Sequence, residues 1–366
     1  MRKKILFIIP NLNSGGSQRV ITTIIRNIDR SKFQVMLAVV NTKKEVFLNQ
    51  IPSDIKFVDF KCQNVRYSLF KIFTLVWRYR PDVVLSTLSH LNLAIAIIKY
   101  FLPRKTKYIA RESTIISKNL EIYKFQGLWL GIYGYFYSKF DLIICQSFYM
   151  RNDILSELKI SNNNTLVIHN PIDSNYIDST LAVNGAKCAF FNNKATSCVN
   201  LVASGRLSKE KGFDILIEAL SLLPSGKFRL AIIGSGNLKL SLQKHAETCG
   251  VSDIVSFEGF QSNPYSWYSS ADALIVSSHY EGFPNVVLEA LACGTPVIST
   301  PAIGGVVEIL KNVNGCVLAE EVTAIALAEA IIKWSKMTQE FDYKNTIKPY
   351  QVDKIVSQYE NAINSL

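Results

Sequence analysis

The chain has 366 residues, 48% of them apolar, and a formal net charge of +11. That supplies enough apolar material for two cores and favours two domains. No apolar run reaches the roughly 18 to 20 residues of a membrane-spanning helix, and seven cysteines with no C-x-x-C pair argue against a disulfide framework and for reduced thiols in a cytosolic compartment.

The charge is uneven. Residues 1–180 hold 25 Lys and Arg against 12 Asp and Glu, a surplus of 13 positive charges; residues 181–366 hold 15 against 17, a net of −2. A basic half joined to a near-neutral half implies a different partner for each, and the basic half suits an anionic lipid surface, a phosphorylated substrate or nucleic acid. No nucleic-acid reader motif accompanies the charge, so nucleic acid is not expected.

The N-terminal MRKKILFIIPNLNSGG starts basic but has a short apolar core and no A-x-A-like site, so it reads as a first strand rather than a signal peptide. Further strands are expected at 34–40, 55–60, 82–88, 107–113 and 141–147, each short, rich in Ile and Val, and bounded by polar residues. Segments of helical length lie between most of them, and this βαβα rhythm implies a parallel sheet covered on both faces. The rhythm repeats at 200–207, 229–236, 254–260, 272–278, 295–300 and 315–319. The expected organisation is an N-terminal domain over 1–170, a linker over 171–198, a C-terminal domain over 199–349 and a terminal amphipathic helix over 350–366. Two Rossmann-like, doubly wound domains would face each other across a cleft lined by the carboxyl ends of their strands.

Glycine turns end several of these strands. Gly15 and Gly16 allow close backbone approach before a helix expected near Ser17, although an ordinary strand-to-helix turn reads equally well and the spacing is not G-x-G-x-x-G. Arg206 and Lys211 sit between a strand end and a helix expected near Gly212, a placement that suits a diphosphate or, without context, a solvated loop. Gly234-Ser235-Gly236 matches only part of a phosphate loop. In the basic half, 123–140 interleaves aromatics with flanking lysines and 66–80 is a basic amphipathic stretch; each is either a monotopic anchor or a helix packed on the sheet. His169-Asn170-Pro171 reads as a hinge rather than a catalytic site.

The densest motif is HYEGFPNVVLEALACGTPVIST, 279–300, with Glu281 and Glu289 separated by seven residues. Gly282 and Pro284 set a turn, Asn285 is expected to cap a helix through about Cys293, and Glu289 lies inside that helix just over one turn on.

At these residues the sequence resembles the GT-B retaining glycosyltransferases of family 4, also called group 1, across essentially the whole chain. The resemblance is carried by NSGGSQR, HNPID, GRLSKEKGFD, IIGSG and above all the E-x7-E segment. It implies a nucleotide-sugar donor, UDP-linked in the first instance, held mainly by the C-terminal domain. Arg206 and Lys211 would contact the diphosphate and Glu289 the ribose hydroxyls. Glu281, with Gly282, Phe283, Pro284, Asn285 and Val286, would face the donor sugar and distal phosphate, while Arg206, Lys211 and Glu281 form the catalytic set. Gly15, Gly16 and Gly234 would approach the donor, and Gly259 and Phe260 would line the base pocket.

Many relatives carry a histidine at the end of an N-terminal-domain strand; here Arg111 and Glu112 stand at that place, with His90 as the alternative. These three are the acceptor-side candidates, and the Arg-Glu pair resembles a subset acting on lipid-linked oligosaccharides with hexose or N-acetylhexosamine donors. No D-x-D is present, so no metal and no other cofactor is expected. The implied role is a hexosyltransferase of surface polysaccharide, capsule or O-antigen assembly, cytoplasmic and peripheral on the inner face of the membrane. A nucleotide-sugar epimerase or phosphorylase on a similar fold, or a scaffold that has lost its chemistry, are the competing readings.

Overall fold

The computed structural model describes residues 2–13, 15–42, 46–184, 191, 198–339 and 341–366. Among these, the strands form two large parallel sheets and one small one. The first sheet runs in the order β3-β2-β1-β4-β5-β6-β7, comprising β1 (Lys3–Ile9), β2 (Phe33–Val39), β3 (Lys56–Asp59), β4 (Val83–Thr87), β5 (Lys107–Arg111), β6 (Leu142–Cys145) and β7 (Thr165–Val167). The second runs β10-β9-β8-β11-β13-β15, from β8 (Val199–Ser204), β9 (Phe228–Ile233), β10 (Val255–Gly259), β11 (Ala273–Val276), β13 (Val297–Ser299) and β15 (Val317–Leu318). Every expected strand is present. Three strands go beyond those expected, β7 and the pair of β12 (Tyr280–Glu281) with β14 (Ile303–Gly304); each is too short to leave a period-two signal.

Both large sheets are buried on both faces, which is why their strands read as continuous apolar runs. In the second sheet Leu201, Ala203, Leu230, Ile232 and Ile275 enter one core, while Val202, Ala231, Ile233, Leu274 and Val276 enter the other. The alternation is the pleat itself: successive side chains leave opposite faces.

The chain divides into a first unit, Met1–Pro171 with Val352–Leu366, and a second, Ile172–Gln351. The terminal helix, Val352–Asn364, thus belongs with the N-terminal sheet, where Ile355, Val356, Tyr359 and Ile363 join the core around Ile5, Phe7 and Val39. Lys3 Nζ donates to Ile363 O at 2.8 Å and Asp29 N to Glu360 Oε1 at 2.7 Å, fixing the helix in place.

The segment read as a linker is not one in its first part. Ser174–Asn184 is helical, and Ile172 and Ile177 are buried in the core of the second unit beside Tyr268 and Leu291. Its polar composition hid this, because only one stripe of that helix is buried. Residues 185–190 and 192–197 lie outside the described residues.

Candidate functional site

In an open parallel sheet, the crevice forms where the strand order reverses, beyond the carboxyl ends of the strands on either side. In the second sheet that point lies between β8 and β11, which pair from Ala273 with Leu201 to Ile275 with Ala203. The loop after β8 carries Arg206 and Lys211, and the loop after β11 carries Ser277 to Pro284. The sheet topology therefore brings together two motifs that are about 70 residues apart in sequence.

Three glycines let the loop after β8 meet its neighbours after β9 and β11. Gly212 has φ +57 and a Cβ there would lie 2.2 Å from Ser277 O. Ser277 Oγ donates to Lys211 O at 2.9 Å, and His279 N donates to Glu210 O at 2.9 Å. Gly234 has φ +141, and its Cβ would fall 1.8 Å from Gly205 O. Gly236 packs as tightly on Leu207. The glycines at 234 and 236 thus make room for backbone of the neighbouring loop, and Gly234 shapes the site through the segment that carries Arg206.

The close approach of the loops creates the central contact. Lys211 Nζ lies 2.5 Å from Glu281 Oε1, and Ser278 Oγ donates to the same oxygen at 2.7 Å. Arg206 is exposed and has no ion-pair partner among the described residues. One cation is therefore held by a carboxylate and the other is available to an anion. Glu281 itself is held in strand pairing, opposite Gly304, and a Cβ on the adjoining Gly305 would sit 2.8 Å from Gly282 O. The Gly304-Gly305 turn is thus packed against the Glu281-Gly282-Phe283 turn.

Beyond this turn the helix Asn285–Ala292 begins one residue earlier than expected: Pro284 occupies the cap position and Asn285 is the first helical residue. Phe283 is buried against Tyr350, ring centroids 5.7 Å apart, and anchors the turn. The positive end of the helix dipole lies four residues after Glu281, the partner of Lys211. Glu289 is buried, with the Tyr268 hydroxyl 3.5 Å from its Oε2 and 2.9 Å from Ser204 Oγ. At the edge of the site Gly259 has φ +72 and ends β10, and Phe260 after it is exposed.

Two adjoining family models match: residues 14–176 fit Glycosyltransferase Family 4, and residues 190–349 fit Glycosyl transferases group 1. The chain belongs to the group 1 glycosyltransferases. Its fold is GT-B. The glycosyltransferase is 27% identical over 321 residues to the N-acetylgalactosamine-N,N'-diacetylbacillosaminyl-diphospho-undecaprenol 4-alpha-N-acetylgalactosaminyltransferase of Campylobacter jejuni, covering 85% of this chain and 84% of that one. It is 29% identical over 283 residues to an uncharacterized glycosyltransferase of Methanocaldococcus jannaschii, covering 74% and 67%. Among solved structures it is similar to Anabaena HepE in complex with UDP-glucose, with a TM-score of 0.81, 20% identity and coverage of 99% and 100%.

The acceptor-side candidates of the glycosyltransferase fall differently from expectation. Arg111 and Glu112 are fully buried, so neither side chain is open to an acceptor. Arg111 donates through Nε to Tyr359 Oη at 3.0 Å and through Nη2 to Asn170 Oδ1 at 2.6 Å. Its Nη1 donates to Ser17 Oγ and Thr87 Oγ1, each at 3.2 Å. Glu112 accepts from Ser89 Oγ at 2.8 Å, Asn92 Nδ2 at 2.6 Å and Tyr137 Oη at 2.5 Å. Burial raises its pKa above the usual carboxylate value, with these hydrogen bonds opposing.

The pair is a structural hub. It joins the turn after β1, the end of β4, the HNP segment and the terminal helix, each contributed by a distant part of the chain. His90 is exposed at the start of the helix Ser89–Ile98, and partial desolvation of its ring lowers its pKa. His169 Nδ1 donates to Gln146 O at 2.7 Å, while Asn170 is held between Arg111 and Gln146, which suits a fixed chain exit. Gly15 caps the helix Gly16–Asn27 with extended backbone, and Gly16 is exposed beside it. The hydroxyls of Ser204, Tyr268 and Ser278 were not legible as site residues, since single Ser and Tyr residues at strand ends carry no spacing signal.

Proposed function

We propose that this glycosyltransferase moves a hexose or N-acetylhexosamine from a UDP-sugar to a lipid-linked saccharide, with retention at the anomeric carbon, in surface polysaccharide assembly of the capsule or O-antigen kind. The observation that carries the donor side is the Lys211–Glu281 pair at the switch point of the second sheet, with Arg206 on the same loop, exposed and without an ion-pair partner among the described residues. When the anomeric C–O bond breaks, its electron pair leaves on the diphosphate. Arg206, Lys211 and the helix N-terminus stabilise that charge without requiring a metal. An incoming diphosphate competes with Glu281 for Lys211, which frees Glu281 to face the sugar. Glu289, aligned by Tyr268, accepts from the ribose hydroxyls, and Gly259 and Phe260 border the base.

Support for the lipid-linked acceptor comes from the Campylobacter relative, whose name carries a diphospho-undecaprenol, and from the basic first 180 residues. UDP is favoured because HepE was solved with UDP-glucose. The enzyme would act in the cytoplasm at the inner membrane face.

Calorimetric titration with UDP, GDP and ADP tests the donor. UDP is expected to bind most tightly, and Glu289→Ala is expected to weaken it by ~10- to 150-fold, as for loss of a hydrogen bond to a charged group. Arg206→Ala is expected to lower kcat by ~100- to 1,000-fold, as for removal of one oxyanion-stabilising donor. No binding of any of the three nucleotides would sink the reading; UDP-sugar hydrolysis without glycoside formation would redirect it to a different reaction.

A further inference from the structure

One surface of the first unit is built in a way that water does not explain. The helix Gln126–Tyr137, sequence QGLWLGIYGYFY, contains no charged side chain. Its outward positions Gly127, Leu128, Gly131 and Tyr135 are exposed, and a Cβ on Gly127 or Gly131 would meet nothing within 4 Å. Packing therefore does not require those glycines, although glycine disfavours a helix relative to alanine.

The approach to the helix is equally apolar. Ile122, Phe125 and Leu128 are 80%, 75% and 64% exposed. Phe125 adopts φ +68, a left-handed conformation that a bulky side chain avoids, and holds its ring outward at the helix start. The patch extends sideways: Tyr135 Oη lies 3.2 Å from the hydroxyl of exposed Tyr100, and Phe101 O accepts from Trp77 Nε1 at 3.1 Å.

Cations rim this apolar face. Lys124 stands at the tip, and Lys139 follows the helix with its Nζ 4.9 Å from the Tyr135 ring. The acid in this stretch, Glu121, is already paired with Lys118 at 2.5 Å. Apolar and aromatic residues on one face, with lysines at its ends, match the bilayer interface: rings at the acyl boundary and ammonium groups among anionic headgroups. No helix among the described residues is long and apolar enough to cross a membrane, so the surface would lie on the bilayer.

We propose that the Ile122–Leu128 tip and the outward face of Gln126–Tyr137 seat in the surface of an anionic lipid bilayer, with Lys124 and Lys139 at headgroup level. This deepens the reading of a lipid-carried acceptor, yet it concerns the protein and bilayer alone.

Vesicle co-sedimentation of the full chain tests it, with one part phosphatidylglycerol to two parts phosphatidylcholine against phosphatidylcholine alone. Wild type is expected to bind the anionic vesicles preferentially, less so at high salt. Phe125→Ser with Leu128→Ser is expected to lower partitioning by roughly 100-fold, the order set by withdrawing two large apolar side chains from the bilayer. Lys124→Glu with Lys139→Glu is expected to abolish the preference for anionic lipid. All the changes lie on the surface, so circular dichroism and UDP titration of the variants should match wild type.

Failure of wild type to sediment with anionic vesicles, or equal binding by the variants, would overturn the proposal. So would a wild-type dimer, seen by sedimentation velocity without lipid, that the apolar variant dissociates: the face would then serve a second copy. A protein that binds vesicles but no nucleotide would leave this proposal standing and defeat only the donor reading.

Discussion

Gly234→Ala tests how the donor site is assembled, because the glycine is required by a neighbouring loop rather than by its own turn. The alanine Cβ would stand 1.8 Å from Gly205 O and 2.9 Å from Gly205 C, at φ +141. Neither side has room to retreat. Gly205 N donates to Ile233 O at 3.0 Å, Leu207 N to Ser235 O at 3.1 Å and Gly234 N to Gly259 O at 2.7 Å. Backbone strain of this kind costs about 1–3 kcal/mol, and overpacking adds about 1–3 kcal/mol.

The expected loss is therefore about 2–6 kcal/mol, or roughly 5–20 °C in Tm for a unit of this size. Gly226→Ala is the control: its φ is +73 but nothing lies within 4 Å of the added Cβ. It should lose only about 1–2 kcal/mol from the left-handed backbone. Thermal unfolding of both variants gives the stability comparison, and UDP titration gives the functional one. Gly234→Ala should also weaken UDP binding, because the displaced segment carries Arg206, whereas Gly226→Ala should not. Equal stability of the two variants, or wild-type UDP affinity in Gly234→Ala, would refute the reasoning.

Tyr359→Phe removes the acceptor for Arg111 Nε and is expected to destabilise the first unit by about 1.5–3 kcal/mol in urea unfolding, as for a hydrogen bond to a charged group. Glu112 should give stability a negative slope with pH. Its folded pKa is raised by burial, so above the ordinary value of 4.5 the folded state retains a proton that the unfolded state has lost. Stability from this group is full below pH 4.5 and falls as pH rises toward the folded pKa. Glu112→Gln should flatten that part of the profile, measured by urea unfolding across pH 4–8. The Cys293 and Cys316 thiols are pushed up to about 12 and about 11 by burial, so both should resist alkylation at pH 8 until the protein unfolds, as read by mass spectrometry.

Arg111 illustrates why part of the site was misread. As a sequence feature, Arg111-Glu112 occupied the end of a strand, where functional residues gather, and nothing local announced burial. Its four partners come from residues 17, 87, 170 and 359, so their convergence depends on the sheet order and on where the terminal helix returns. The helix 352–364 had a clear amphipathic stripe, but a stripe specifies only that one face is covered. The linker assignment failed for a related reason: Ile172 and Ile177 are sparse anchors in a polar segment, and only the second unit's core shows what they fill.

The sequence by itself determined the two parallel sheets, through period-two and continuous apolar runs that need only local backbone geometry. It also determined the Glu281–Glu289 motif, because the turn residues and the helix are contiguous. Tertiary structure decided the rest. The strand order placed the β8 and β11 loops side by side, and only then did Lys211 meet Glu281 and Tyr268 meet Glu289. It also made Gly212, Gly234 and Gly305 points of close backbone contact. Local propensity records what one segment prefers, whereas these contacts are made between segments and exist only once the crossovers have set their neighbours.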